Sequence, residues 1–254
     1  EGMAAQAIES TALKLRAHHP DLMLVCGDRW EIASACIAAT LVGVPIAHLG
    51  AGETTRGSYD EQFRGAIEAM ASIKFTLTQQ AFAKITGHSY RVGCTSVERG
   101  AIEAGDGRAI LIMHPQTRGE QLDPVIKPQI TALLKHRGLE VWLLGANQDR
   151  GAGDFPGPDS LDNFHDRLRS ASLIIGNSSA GIIEAPIVGT PSVNIGTRQD
   201  GRPQAESVFS ATADIKSIEA AIDKALAFGK RKVPSPYWND NAISTIVDVC
   251  TSMS

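Results

Sequence analysis

Residues 173–202 read LIIGNSSAGIIEAPIVGTPSVNIGTRQDGR, and both the fold and the site can be worked outward from them. The apolar run Leu173-Ile174-Ile175 stops at Gly176-Asn177-Ser178-Ser179, and an apolar segment resumes at Gly181. A buried strand feeding small polar residues into a helix start leaves backbone N–H groups pointing at one place. Two hydroxyls and the helix macrodipole add to that field, which suits an anion, typically a phosphate. A second strand, Ser192 to Ile195, then delivers Arg198, with Arg202 close behind. Strand, small-residue turn, helix, strand and arginine together fit half of a nucleotide-sugar site.

The same alternation runs through the whole chain. Helical stretches are expected at 2–18, 30–42, 60–71, 79–86, 122–136, 161–169, 215–228 and 239–251. Strands are expected at 22–25, 45–49, 74–78, 90–93, 109–113 and 141–144, besides the two above. Strands alternating with helices specify a parallel sheet covered on both faces, an α/β architecture. The polar, glycine-bearing stretch 100–108 reads as a linker, and 149–160 (DRGAGDFPGPDS) as loop. The expected organisation is a first Rossmann-like domain over 1–100, a second over 101–238, and a terminal helix over 239–254.

Composition bounds the partners. The 254 residues are 43% hydrophobic and 20% charged, as in an ordinary globular chain of one large or two small domains. The net charge of −4 leaves no basic footprint for nucleic acid, so an acidic ligand must be met by local arginines. The apolar runs are too short to span a bilayer, and residues 1–20 read as an amphipathic helix rather than a signal peptide. No membrane partner is expected, and the cytoplasm is the expected compartment. Cys26, Cys36, Cys94 and Cys250 are scattered without a Cys-x-x-Cys pair, so free thiols and no metal site are expected. The chain opens on a helix without an initiator Met, and the first domain reads as incomplete.

Polar residues gather where the expected strands end: Asp28 and Arg29, Glu53, His114, Asn147, Asn177 to Ser179, and Arg198. In open α/β sheets the ligand crevice lies beyond the carboxyl ends of the strands. Each residue alone has a plainer reading. Asp28 fits a helix N-cap, Glu53 a solvated loop position, and His114 a structural histidine before proline. Asn177-Ser178-Ser179 fits a capping turn, Glu184 a surface position, and the pair Asp60-Glu61 a cap for its own helix. His18, His19, His88, His136 and His165 carry no pattern and are read as structural.

Taken together, the runs GDRWE (27–31), HLGAGE (48–53), YDEQFR (59–64), HP-x-T (114–117), N-x-D (147–149) and GNSSAGIIEAP…GTP-x-VNIG-x-RQ-x-GR (176–202) resemble the UDP-N-acetylglucosamine 2-epimerase family. More narrowly they look like its hydrolysing branch. The non-hydrolysing branch has a single Ser with Gly in place of Asn-Ser-Ser, and a different continuation after the arginine. The resemblance covers most of the chain in order. It implies two Rossmann-like domains in a glycosyltransferase-B-like fold with the site in the cleft between them, and a terminal helix crossing back to the first domain. It further implies a homodimer or homotetramer and no cofactor. Two departures stand out. The founding strand and Gly-Thr-Arg-type loop of the family have no match here, and the connections at 94–109 and 149–161 look short, which reads as part of a longer protein. Where the branch commonly has Arg-His, this chain has Arg64-Gly65; glycine costs a helix about 1 kcal/mol against alanine, so a close approach is expected there.

The chemistry implied by the resemblance is elimination of UDP from C1 as the C2 proton leaves, followed by addition of water to the 2-acetamidoglucal with inversion at C2. That needs an anion cradle and groups placed for proton transfer. The cradle falls to Asn177, Ser178, Ser179 and Arg198, whose planar fork can hold two phosphate oxygens. The resemblance gives the ribose hydroxyls to Glu184 and the nucleotide and sugar–phosphate junction to Asn147 and His114. Asp28, Glu53 and Asp60 are the acid–base candidates, Arg29 holds a carboxylate or the phosphate, and Arg64 is read as structural. Alternatives are the same reaction on a UDP-diacetamido sugar, reversible epimerisation, a glycosyltransferase, and a silent sugar-nucleotide-binding module.

Overall fold

The computed structural model describes residues 2–56, 58–115, 123–145 and 163–252. The chain forms two compact units. The first comprises Glu1–Thr54, Tyr59–Thr95 and Asn239–Ser254; the second comprises Thr55–Ser58 and Ser96–Trp238. The divide therefore lies ahead of the glycine-bearing stretch 100–108. Residues 55–58 belong with the second unit although they fall between Glu53 and Asp60 in sequence.

In the first unit, β1 (Met23–Cys26), β2 (Ile46–Ala51), β3 (Ile73–Thr76) and β4 (Ser89–Arg91) run parallel in that spatial order. The helices are α1 (Gly2–His18), α2 (Trp30–Val42), α3 (Asp60–Met70), α4 (Gln79–Phe82) and α10 (Ala242–Thr251). Side chains alternate across a strand, and here the alternation serves two faces. Val25 and Ile46 pack with Ala33, Cys36 and Ala39 of α2 and Ile67 of α3. Ala47, Leu49, Ile73 and Phe75 pack instead with Ala242 and Ile246 of α10.

In the second unit, β5 (Arg108–Ile112), β6 (Glu140–Leu144), β7 (Leu173–Gly176), β8 (Ser192–Ile195) and β9 (Val208–Ala211) form a parallel sheet in the order β6-β5-β7-β8-β9. The central strand β7 is buried along its length, as expected where helices cover both faces. One layer is α5 (Ile126–His136) and α9 (Ile215–Phe228), which set Ile130, Leu134, Ile218 and Ile222 against Leu111, Ile175 and Val193. The Asp214 side chain caps α9, accepting from the Ser217 N–H at 2.8 Å. Strand β9 carries no alternation long enough to mark it in the sequence.

The local surprise lies inside the stretch 173–202. One helix is expected after the serines, but two single turns form: α7 (Ala180–Ile183) and α8 (Ala185–Val188), joined at Glu184. Pro186 sits in the first turn of α8 and has no N–H to continue the ladder from α7. A four-residue turn has little macrodipole, so the helix-dipole share of the expected anion field falls away, leaving the N–H groups and hydroxyls. Gly176 ends β7 at φ +140°, and a Cβ there would overlap the Ile112 carbonyl oxygen.

Candidate active site

In the second unit the predicted residues meet at the carboxyl ends of β5, β7 and β8. Asn177 is fully buried. Its Nδ2 donates to the His114 carbonyl at 2.8 Å, and its Oδ1 accepts from the His114 N–H at 2.7 Å. Its own carbonyl accepts from Gln199 Nε2 at 2.9 Å and Arg198 Nη1 at 3.4 Å. Both amide groups of Asn177 thus serve the backbone of the next strand end, locking the His114 turn to the start of the serines. Ser178 and Ser179 are half-buried. Ser179 occupies the N-cap position of α7 without a side-chain cap bond. Ser178 Oγ accepts from the Ala180 N–H at 3.4 Å. Arg198 comes from the loop after β8 and is held over the Asn177 carbonyl, beside the serines.

Glu184, at the break between α7 and α8, is not a loose surface residue. Its Oε1 accepts from Ser96 Oγ at 2.8 Å and lies 3.5 Å from His165 Nε2. Neither partner carried a sequence signal. Asn147 lies outside the described residues. The segment Thr55–Ser58 docks on the Arg198 loop, with the Arg56 N–H donating to the Asp200 carbonyl at 3.2 Å.

In the first unit one guanidinium organises the acidic residues. Arg64, 2% exposed, reaches from α3 to three places. Its Nη2 donates to Asp28 Oδ2 after β1, and its Nη1 donates to the Glu53 carbonyl after β2 at 2.8 Å and to Glu61 Oε2 at 2.6 Å. Burial opposes its charge, but Asp28 and Glu61 more than offset that and raise its pKa, so it stays a cation. Asp28 is therefore an ion-pair partner and not a helix cap. The N-cap of α2 is Arg29, whose side chain pairs with Glu31 at 3.2 Å. Glu53 is 6% exposed, not solvated, and accepts from Thr78 Oγ1 at 3.2 Å. Asp60, also buried, opens α3 one turn before Arg64, while Tyr59 takes the N-cap position.

His48 lies fully buried on β2 with Nε2 at 2.9 Å from the Gly27 carbonyl. A carbonyl only accepts, so Nε2 carries the proton. Burial pushes its pKa down, against the Gly27 hydrogen bond, and the neutral ring ties β2 to the turn that carries Asp28. Neither His48 nor the reach of Arg64 is marked by a sequence pattern. The available signal was local, an arginine a turn from two carboxylates on its own helix. The close approach expected at Gly65 is absent: a Cβ there would meet no described atom within 4 Å. No described group of three or more His, Cys, Asp or Glu could hold a metal ion. No described helix is long and apolar enough to cross a membrane.

Comparisons with known proteins give the family. The family model "UDP-N-acetylglucosamine 2-epimerase" matches residues 1–90 and 157–251. The Escherichia coli polysialic acid biosynthesis protein P7 is 24% identical over 90% of this chain and 69% of its own length. The Legionella pneumophila UDP-N,N'-diacetylbacillosamine 2-epimerase (hydrolyzing) is 26% identical over 86% of this chain and 67% of its own. The chain thus spans about two thirds of these relatives. The crystal structure of Methanocaldococcus jannaschii UDP-GlcNAc 2-epimerase in complex with UDP-GlcNAc and UDP superposes with a TM-score of 0.76 at 17% identity, covering 98% of this chain and 80% of that one. With two parallel Rossmann-like sheets, this fold and a family match across both halves, the chain belongs to the UDP-N-acetylglucosamine 2-epimerase family.

Proposed function

We propose that this chain carries out the hydrolysing reaction of the family, releasing UDP and a free 2-epimerised amino sugar from a UDP-2-acetamido sugar. The observation that carries the reading is the Arg64 hub, which gathers the segments bearing Asp28, Glu53 and Asp60 around one buried cation. Proton transfer at a weakly acidic C–H needs carboxylates in fixed positions, and a nucleotide-binding module has no use for such a cluster.

In the first step the C1–O bond to UDP breaks, its electron pair leaves with the diphosphate, and a base removes the C2 proton. The double bond between C1 and C2 is that of the 2-acetamidoglucal. In the second, water supplies hydroxide to C1 and a proton reaches C2 from the opposite face. Asp28 shares its charge with Arg64, so Glu53 and Asp60 are assigned the two proton transfers. Ser178, Ser179 and Arg198 receive the diphosphate, Asn177 positions His114 at the sugar–phosphate junction, and Arg29 completes the polar lining. Glu184 takes the ribose diol. The Legionella relative's hydrolysing label and the Asn-Ser-Ser signature support this branch.

UDP-N-acetylglucosamine is the first substrate to test, giving N-acetylmannosamine. A UDP-diacetamido sugar is the second, favoured by the substrate named for the Legionella relative. Each is incubated with the protein in deuterium oxide, and UDP and free sugar are followed by NMR. Free sugar with deuterium at C2 is expected from one of them. Exchange at C2 with the sugar still attached to UDP would move the chain to the non-hydrolysing branch, and no exchange would sink the elimination route.

A further inference from the structure

Ser96, His165 and Glu184 come from three separate segments of the second unit and converge on one oxygen. Ser96 lies at the unit's start and donates to Glu184 Oε1 at 2.8 Å. His165 lies in the first turn of α6 (Phe164–Ser170), with Nε2 at 3.5 Å from the same oxygen. The imidazole is itself braced by Phe164, edge to face at 5.5 Å between centroids. The Glu184 backbone is fixed as well: its N–H donates to Ala180, and its carbonyl accepts from Ile187 and Val188. A free glutamate side chain samples many rotamers; this one is pinned at both ends, and among the described residues Oε1 is the oxygen that the donors take.

We infer that Ser96 and His165 position the Glu184 carboxylate so that Oε2 faces the ribose 2′ and 3′ hydroxyls, which makes this pair the determinant of ribonucleotide selectivity. The inference rests on the reading of Glu184 as the ribose group. A carboxylate recognises a vicinal diol only when its plane is held, because two hydrogen bonds of fixed spacing must form together. Donors on one oxygen set that plane without consuming the other. Neither residue needs to touch the nucleotide for this.

The test is calorimetric titration of the whole chain with UDP and with 2′,3′-dideoxy-UDP. The wild-type protein is expected to prefer UDP. In Ser96→Ala/His165→Ala the affinity for UDP should fall about tenfold, as for two lost hydrogen bonds, while that for the dideoxy nucleotide stays put. Ser96→Thr and His165→Gln keep a donor and should keep the preference. His165→Ala alone, at a half-exposed site, should show part of the loss and stands in if the double variant does not fold. An unchanged preference, or an equal loss for both nucleotides, overturns the inference. A wild-type protein that binds UDP without preferring it overturns the ribose reading of Glu184 itself, and the inference falls with it.

Discussion

Replacing Arg64 with Met keeps the unbranched stem and helix propensity of the side chain and removes the fork that joins Asp28, Glu61 and the Glu53 carbonyl. Breaking a buried ion pair by deleting one partner costs about 3–5 kcal/mol. Here the Asp28 and Glu61 side chains keep 25% and 37% exposure, so water rehydrates part of the released charge and roughly 2–3 kcal/mol of destabilisation remains. Activity should suffer more than stability. Asp28, Glu53 and Asp60 lose their common reference, and a misplacement of about 1 Å at a reacting centre costs on the order of 100-fold in rate. Urea denaturation measures the first quantity and continuous UDP release the second. UDP affinity, assigned above to residues of the other unit, should stay within about twofold of wild type. A double cycle with Asp28→Asn should give a coupling of about 1 kcal/mol or more. Wild-type kcat in Arg64→Met, or additive effects in the cycle, would refute the hub as an organiser of catalysis.

Four further outcomes follow from single contacts. Gly65→Ala should raise stability by about 1 kcal/mol, since the added methyl meets nothing described within 4 Å; a loss in the urea midpoint would mean that glycine is required there. Glu53→Gln should stop sugar release while UDP still binds, and wild-type turnover would remove Glu53 from the proton transfers. Arg198→Ala should weaken UDP by about tenfold or more through the lost charge-assisted contacts, as read by calorimetry; unchanged affinity would contradict the cradle. Lys230 Nζ donates to the Arg169 and Ala171 carbonyls and to Thr190 Oγ1, and burial pushes its pKa from 10.5 to about 8. The unfolded chain then holds this proton more tightly than the folded one between about pH 8 and 10.5. The stability gap between wild type and Lys230→Met should therefore be flat below pH 8 and widen through that window. A gap that narrows there would contradict the burial of the ammonium group.

The parts legible in the sequence are those written in local pattern. Helix α9 announces itself through Asp214 and the i, i+3, i+4 spacing of Ile218, Ala221 and Ile222, and β5, β7 and β8 through apolar runs ended by small or polar residues. The gathering of polar residues at strand ends was also legible, because parallel topology itself puts those ends on one side. Contacts at long range were not. Arg64 meets Asp28 and Ser96 meets Glu184 across separations that leave no periodic trace. Asn177 looked like a ligand group because its position is right, and only the pairing of its amide with His114 gives its role in the turn. The break between α7 and α8 was visible as Pro186, yet the apolar continuity of Ile182, Ile183, Ile187 and Val188 outweighed it.

The first unit is closed by residues that follow the second unit in the sequence. Ala242 and Ile246 cover the face of its sheet formed by Ala47, Leu49, Ile73 and Phe75, but Ser96–Trp238, nearly all of the second unit, must be made before them. At about 5–20 residues per second of synthesis, that face waits roughly 7–30 seconds on the ribosome without its lid. A nascent chain arrested before Asn239 should therefore present a sticky apolar sheet to chaperones, and one released after Thr251 should not.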